Sequence, residues 1–495
     1  MTASPNSAGA PGTGAKLLDR LRLPDGQPYS KAMLLTFAAL VVAFSGDTFR
    51  YTIGWTGYGA LVGLLVALAI VLLVRRRPQL RLRHLPLMLL LFTAWCLLSV
   101  FWSGYRIETL AGSAVQLATA FVALATAVSL TRMQFLRTLG TAMRWLVFGS
   151  LAFEFFAAIA MPAGVLPPTY LRPGVLQSLL GTDRIPDPLP GGFYWTHSEL
   201  FDGGPLQGLM GNRNLLAIVA LIALIVTIVE LLDCMVSRWY ALVASAASVA
   251  AILLTDSATA YVAGAFVLLG AALVLISRRI HRQLRWVLYS VVGACLVAGG
   301  ILVVVFNNEV FALMNRSSDM SGRGSIWRAV LALGSESPVL GHGWISYWAP
   351  WLPEFHSLAI VEGMPYHQAH NAFLDVWMQV GVIGLLLFIG LVFSTLIRTW
   401  WISIDVPDAP RIPPYRPGGR PHLSAATAAP FFIMVALVVQ AMTESRLLVE
   451  GAWLLLCYFA IYAKLRIQDP AMLQRRTVST KTGPVRVVLD TQLDG

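Results

Sequence analysis

Apolar runs of roughly 17–25 residues recur along this 495-residue chain, and that recurrence leaves few folds open. A run of that length can cross the hydrocarbon of a bilayer as a helix, where the backbone must satisfy its own hydrogen bonds. Twelve are read, at 32–48, 53–74, 85–104, 108–130, 139–161, 212–232, 238–255, 258–277, 286–306, 373–397, 425–443 and 446–464. The first is short, and only Asp256 and Ser257 separate the seventh from the eighth. With 57% apolar and 12% charged residues and a mean hydropathy of +0.69, the composition lies far from that of a soluble globular protein. The expected fold is an all-α polytopic membrane protein with about twelve transmembrane helices, reached here from sequence alone.

Positive charge resists translocation and collects on the cytoplasmic side. Twelve spans with a cytoplasmic N-terminus put Arg75, Arg76 and Arg77, the cluster from Arg278 to Arg282, the 398–424 loop and the tail from Lys464 onward inside. Residues 1–31 then read as a disordered cytoplasmic tail, 32–464 as the membrane domain and 465–495 as a second cytoplasmic tail. Both long polar loops, about 162–211 and 307–372, fall outside, with short amphipathic helices expected in them. They carry acids that include Glu199, Asp202, Glu309, Asp319 and Glu362. The pI near 9.7 is explained by inner-face charge facing anionic lipid headgroups, so nucleic acid is not expected as a partner. Cys96, Cys234, Cys295 and Cys457 form no external pair and have no zinc-type spacing. No internal repeat of the kind that builds inverted-repeat transporters is visible.

The unusual stretch lies between Asn307 and Gly384. In 324–334, Ile326, Val330 and Leu333 recur at helical spacing with Trp327 and Leu331 beside them, which predicts an amphipathic helix against the outer ends of the bundle. Arg323 precedes it between two glycines, a setting suited to a phosphate, although an interfacial arginine holding lipid headgroups reads the same way. Next comes Gly341-His342-Gly343-Trp344, followed by Tyr347 and Trp348, readable as membrane-belt aromatics or as flat faces for sugar rings. His370-Asn371 stands immediately before the next apolar helix, where a neutral imidazole could take a proton from a hydroxyl and Asn371 could cap the helix or fix a substrate. His367 and His370 lack a third ligand for a metal. In the other loop, Gly208-Leu209-Met210-Gly211-Asn212-Arg213-Asn214 enters an apolar helix, so Arg213 either snorkels or meets a lipid diphosphate. The preceding PGGFYWTHSELFDGGP has the look of a glycan-contacting loop.

In content and order, these segments resemble the O-antigen ligase and Wzy-type polymerase superfamily, most closely its exopolysaccharide-production polymerases. The resemblance runs over about 208–390: the Gly-Asn-Arg-Asn helix entry, Ser-Gly-Arg-x-x-Ile-Trp, the 338–343 turn, and His370-Asn371 followed by Gly381-Val382-Ile383-Gly384, with Glu444-Ser445 as weaker support. It implies a GT-C-like glycosyltransferase of the bacterial cytoplasmic membrane that uses neither metal nor cofactor. The implied donor is an undecaprenyl-diphosphate-linked glycan, and the acceptor a glycan, lipid or protein. By position, His370 would be the base, with Arg323 and Arg213 holding the diphosphate. Trp327, His342, Trp344 and Asn371 would be neighbouring substrate contacts. Many members have an arginine where this chain has Ala258, so either the clamp is rebuilt from Arg213, Arg316 or Arg328 or the donor is seated differently. Ala369 stands where some ligases have a further histidine. A polymerase is the favoured reading, a ligase the alternative and a lipid or polysaccharide transporter the second. The transporter reading would need ionisable residues deep in several spans, and only Glu154, Glu230 and Glu450 approach that.

Overall fold

A computed structural model describes residues 30–76, 80–180, 185–305, 323–356, 358–361, 364–405 and 424–468. Almost all of the two expected tails, most of the 398–424 loop, and Arg316, Glu309, Asp319 and Glu362 lie outside the described residues. The helices are α1 (Lys31–Phe44), α2 (Gly46–Arg76), α3 (Leu87–Leu98), α4 (Arg106–Ser129), α5 (Arg132–Ala160), α6 (Val175–Leu180), α7 (Arg213–Leu232) and α8 (Arg238–Leu254). They continue as α9 (Ala258–Arg279), α10 (Arg285–Val305), α11 (Arg323–Glu336), α12 (Pro353–His356), α13 (Ala372–Asp405), α14 (Ala429–Ala441) and α15 (Glu450–Gln468). A two-residue antiparallel pair, Ile360–Val361 with Met364–Pro365, is the one sheet among the described residues.

Each of the twelve apolar runs corresponds to a helix. By length and composition seven can cross a membrane, namely α2, α4, α5, α7, α9, α10 and α13, while α1, α3, α8 and α14 are apolar but shorter. Local chemistry sets the ends: Ser30, Thr131, Asn212, Ser237 and Ser257 each cap a helix N-terminus with a side-chain oxygen. Boundaries differ from expectation in two places. The first two runs are parted by Ser45 alone, and the interruption near residue 50 becomes a kink at Gly54, whose φ of 77° a glycine adopts without strain. The run from 425 opens as a 3₁₀ turn, Ala425–Thr427, because the Asp233 carboxylate accepts the N–H groups of Ala425 and Ala426.

Enclosure follows sequence. α15 is apolar around most of its circumference and buries Trp453, Tyr458, Phe459 and Tyr462, packing against α1, α4 and α13. α7 is likewise central, held between α5 and α8. Between α5 and α7, Arg144 donates to Glu230 at 2.6 Å with both side chains almost fully buried. Such a pair costs desolvation and becomes strongly unfavourable if one partner is lost. The expected amphipathic helix is present as α11, with Ile326 and Val330 buried and the helix lying against α13.

One crossing fixes the end of the bundle that matters most. α13 is broken at Val380 and Gly381, the latter with a φ of 67°. The break releases backbone groups that the 338–343 segment satisfies: His342 N–H donates to Met378 O, Gly343 N–H to Gln379 O, and Val382 N–H to Pro338 O. The two backbones approach so closely that a Cβ on Gly381 would sit 2.0 Å from Val339 O, and one on Gly341 2.4 Å from Gln379 O. The two glycine motifs of the sequence are thus two sides of one contact. Gly381→Ala is expected to destabilise the protein by about 1–3 kcal/mol or more through strain and overlap. Gly63→Ala in α2, where an added Cβ meets nothing within 4 Å, serves as the control; thermal unfolding in detergent should separate the two, and equal melting temperatures would refute the crossing.

Candidate active site

The centre of this end is a carboxylate that sequence reading placed only at the margin. Glu444 lies in the turn between α14 and α15 and is 2% exposed. Burying a charge is costly unless partners surround it. Here Asn214 Nδ2 donates to Oε1 at 2.8 Å, Arg323 Nη2 to Oε1 at 3.2 Å and Gln368 Nε2 to Oε2 at 3.2 Å. His370 Nδ1 lies 3.0 Å from Oε2. Three segments distant in sequence therefore converge on one side chain, and Ser257 adds a fourth by donating to Asn214 Oδ1 at 2.8 Å. Burial would raise the Glu444 carboxyl pKa, but His370, Arg323 and Arg446 outweigh it and hold it down at about 2.

His370 is held in the left-handed region, φ 50°, a conformation that costs energy unless neighbours fix it. Asn371 caps α13 by accepting from Phe373 N–H and Leu374 N–H, and its amide donates to Met442 O at 3.2 Å. Trp327 Nε1 donates to Ala369 O at 3.0 Å, tying α11 to the residue before the histidine. Ala369 N–H in turn donates to the buried Asp375, which also accepts from Trp348 and Gln379. The Tyr366 ring meets the imidazole edge-on at 5.3 Å. His370 Nε2 is buried and has no hydrogen-bond partner among the described residues.

The structure therefore brings together Arg323, His370, Asn371 and Trp327. Asn371 and Trp327 serve this geometry by holding backbone. Arg213 stands beside the cluster: it opens α7 one residue before Asn214, with Nη1 4.0 Å from Asp256 and the side chain 33% exposed. Arg328 is exposed on α11, and Arg316 lies outside the described residues. One expectation needs correction. Trp344 is fully buried, its ring edge-on to Phe92 and its backbone N–H donating to Ser99 Oγ, so it packs the core and offers no face to a sugar or a membrane boundary; Trp348 is buried likewise. The His342 Nε2 is 2.8 Å from Leu333 O, where it fastens the turn to α11. Sequence reading passed over Gln368 and the roles of Asn214 and Ser257, and it gave Glu444 only a supporting place. The available signal for Glu444 was an acid in a tight turn between two apolar runs, where an unpaired charge would be expensive.

Behind Glu444 a second group of charges steadies its turn. Arg446 contacts Glu450 at 3.2 Å and Asp47 at 3.9 Å, while Arg50 bridges the same two acids. The Arg50 guanidinium also lies over the rings of Trp55 and Tyr58, 5.0 Å from each centre. Two acids and two arginines balance, so α2, the turn and the start of α15 are locked together.

The depressed Glu444 pKa makes stability depend on pH in a stated direction. An acid with an ordinary value of 4.5 that is held at about 2 in the folded state contributes stability that is complete above 4.5 and is lost as pH falls through 2. Wild-type melting temperature should therefore drop as pH is lowered below 4.5, and Glu444→Gln, which starts less stable, should show a shallower drop. Parallel pH profiles for the two proteins would contradict the assignment.

Residues 241–389 match the family model described as O-Antigen ligase (Wzy_C). No curated protein matches the chain. The matched segment runs from α8 into the first half of α13, and so contains Arg323, Trp327, the glycine crossing and His370, while Asn214 and Glu444 come to the same site from either side of it. Over these residues the chain is similar to the O-antigen ligase family.

Proposed function

We propose that this protein is a membrane glycosyltransferase that moves a glycan from an undecaprenyl-diphosphate carrier to the hydroxyl of a growing polysaccharide. The observation that carries the reading is that one buried carboxylate, Glu444, holds an imidazole and a guanidinium side by side. That arrangement supplies a base and an anion clamp within one site. With the ring proton on Nδ1, 3.0 Å from Glu444 Oε2, the neutral imidazole would keep its Nε2 lone pair for the acceptor proton. Arg323 spends one N–H of its fork on Glu444 and has others for the donor diphosphate. The acceptor oxygen bonds to the anomeric carbon as the bond to the phosphate oxygen breaks. His370 takes the hydroxyl proton, and the lipid diphosphate leaves as an anion that the arginine stabilises. Attack opposite the leaving group inverts the anomeric centre. The energy is already in the donor, so the reaction requires no metal or cofactor, and added chelator should leave the rate unchanged.

The proposed setting is the bacterial cytoplasmic membrane, in a GT-C-like arrangement of twelve crossings with the site outside and both termini inside. Membrane lipids would then face the basic end, where Arg278 and Arg285 are held by the end of α13 and the start of the 424–427 segment. Cysteines introduced at Ser325 and Glu362 should react with an impermeant thiol reagent in intact cells, and one at Pro413 should not. The opposite labelling pattern would invert the orientation and remove the reading.

His370→Ala should leave expression, insertion and donor binding nearly intact while lowering transfer on the order of a hundredfold or more. Arg323→Lys should weaken donor binding by about tenfold, and Arg323→Ala by up to about a hundredfold, because a point charge replaces or loses the fork. Near wild-type transfer by His370→Ala sinks the assignment of the base. A ligase acting on a lipid, protein or wall acceptor is the second reading, favoured by the description of the matched family. The product from a native lipid-linked donor decides between them: lengthened glycan for a polymerase, glycan on a different acceptor for a ligase. Transport is not favoured, because Glu154, Glu230 and Glu450 are all engaged in hydrogen bonds or ion pairs and line no charged path among the described residues.

A further inference from the structure

Beside the Glu444 cluster, the loop before α7 forms one side of an open cavity of about 380 Å³ lined by His197, Glu199, Pro205, Gln207, Asn212 and Arg213. That volume falls within the ~300–1,000 Å³ of small-molecule sites. We propose that this cavity is a subsite for a neutral sugar unit of the glycan substrate, an inference that rests on the glycosyl-transfer reading above.

The walls are built, not incidental. Glu154, fully buried at the end of α5, accepts from Thr196 Oγ1 at 2.6 Å, Gln207 N–H at 2.9 Å and Gly208 N–H at 2.6 Å. One carboxylate thus ties together the two strands of loop that carry His197 and Gln207. Leu206 N–H donates to Leu254 O at 2.9 Å, fastening the same strand to the end of α8. Gly204 N–H donates to Glu199 O at 2.8 Å, closing the turn that carries Glu199, and the Tyr194 ring packs on the imidazole of His197. A preorganised cavity gives up less entropy on binding than a loop that must order itself.

Its chemistry fits a polyol better than an anion. Glu199 and Arg213 cancel in formal charge, and Asp256 stands 4.0 Å from Arg213, so the lining has no surplus of positive charge for a phosphate. It offers instead a carboxylate acceptor, an amide that both donates and accepts, an imidazole and a guanidinium, which complement hydroxyl groups that do both. Gln207 Oε1 is buried with no hydrogen-bond partner among the described residues. Turned toward the cavity, it would find a donor in a sugar hydroxyl. The position also fits. The first turn of α7 has Arg213 on the cavity and Asn214 on Glu444, so a sugar held here belongs to a glycan whose next unit reaches the cluster of His370 and Arg323.

The test is saturation-transfer NMR on the full chain in nanodiscs, with methyl glucoside, methyl galactoside and N-acetylglucosamine as probes and inorganic phosphate as competitor. At least one sugar should receive saturation from wild-type protein, unaffected by phosphate. Glu199→Gln and Gln207→Ala, which leave the backbone bonds to Glu154 and Gly204 in place, should weaken that binding by about tenfold. His370→Ala should bind the sugar as wild type does while failing to transfer glycan. Absence of saturation for all three sugars, competition by phosphate, or unaltered binding in both cavity variants would overturn the subsite. Loss of transfer in His370→Ala is read separately, so the subsite and the transfer reading can fail independently.

Discussion

A buried carboxylate is tolerable only when the protein surrounds it with donors and cations, and Glu444 imposes that condition on this whole end of the bundle. Asn214 arrives on α7, Arg323 on α11, Gln368 and His370 on the segment before α13, and Ser257 at the start of α9 through Asn214. None of these elements can shift far without uncovering the charge. The same network that stabilises the fold therefore sets the distance between an imidazole and a guanidinium, so structure and chemistry depend on one group.

Around that point the molecule uses backbone rigidity where side chains alone would be loose. The break in α13 at Gly381 would leave helix groups unsatisfied, and the 338–343 segment supplies their partners. That segment then runs into Trp344 and Trp348, which are buried, so the loop carrying them is anchored as core. Helix α11 is fastened to this frame twice, through His342 at Leu333 and through Trp327 at Ala369. The left-handed backbone of His370 persists because both its neighbours are held.

Paired charges are a recurring device. Arg144 with Glu230 joins α5 to α7 in the interior, the group of Asp47, Arg50, Arg446 and Glu450 locks the turn behind Glu444, and Glu154 gathers three donors from the loop before α7. In low-dielectric surroundings each is expensive to break, which gives specificity of position even where net stabilisation is small. The acids that sequence reading weighed as a possible transport path are thus fixed parts of the scaffold.

The sequence by itself determined the helices. Apolar length, helix caps such as Asn212 and Asn371, and the period of Ile326, Val330 and Leu333 are local properties, and each of the twelve runs appears as a helix. It also marked Arg323 and His370, because polar residues at the mouths of apolar helices stand out against their neighbours. Tertiary structure alone decided that Glu444, 121 residues from Arg323, is the group that unites them. Only the tertiary structure could show Trp344 to be core and His342 to be a fastener. Burial and partnership are properties of pairs distant along the chain, and a single aromatic or histidine beside an apolar run reads the same whether it faces a ligand, a lipid or another helix.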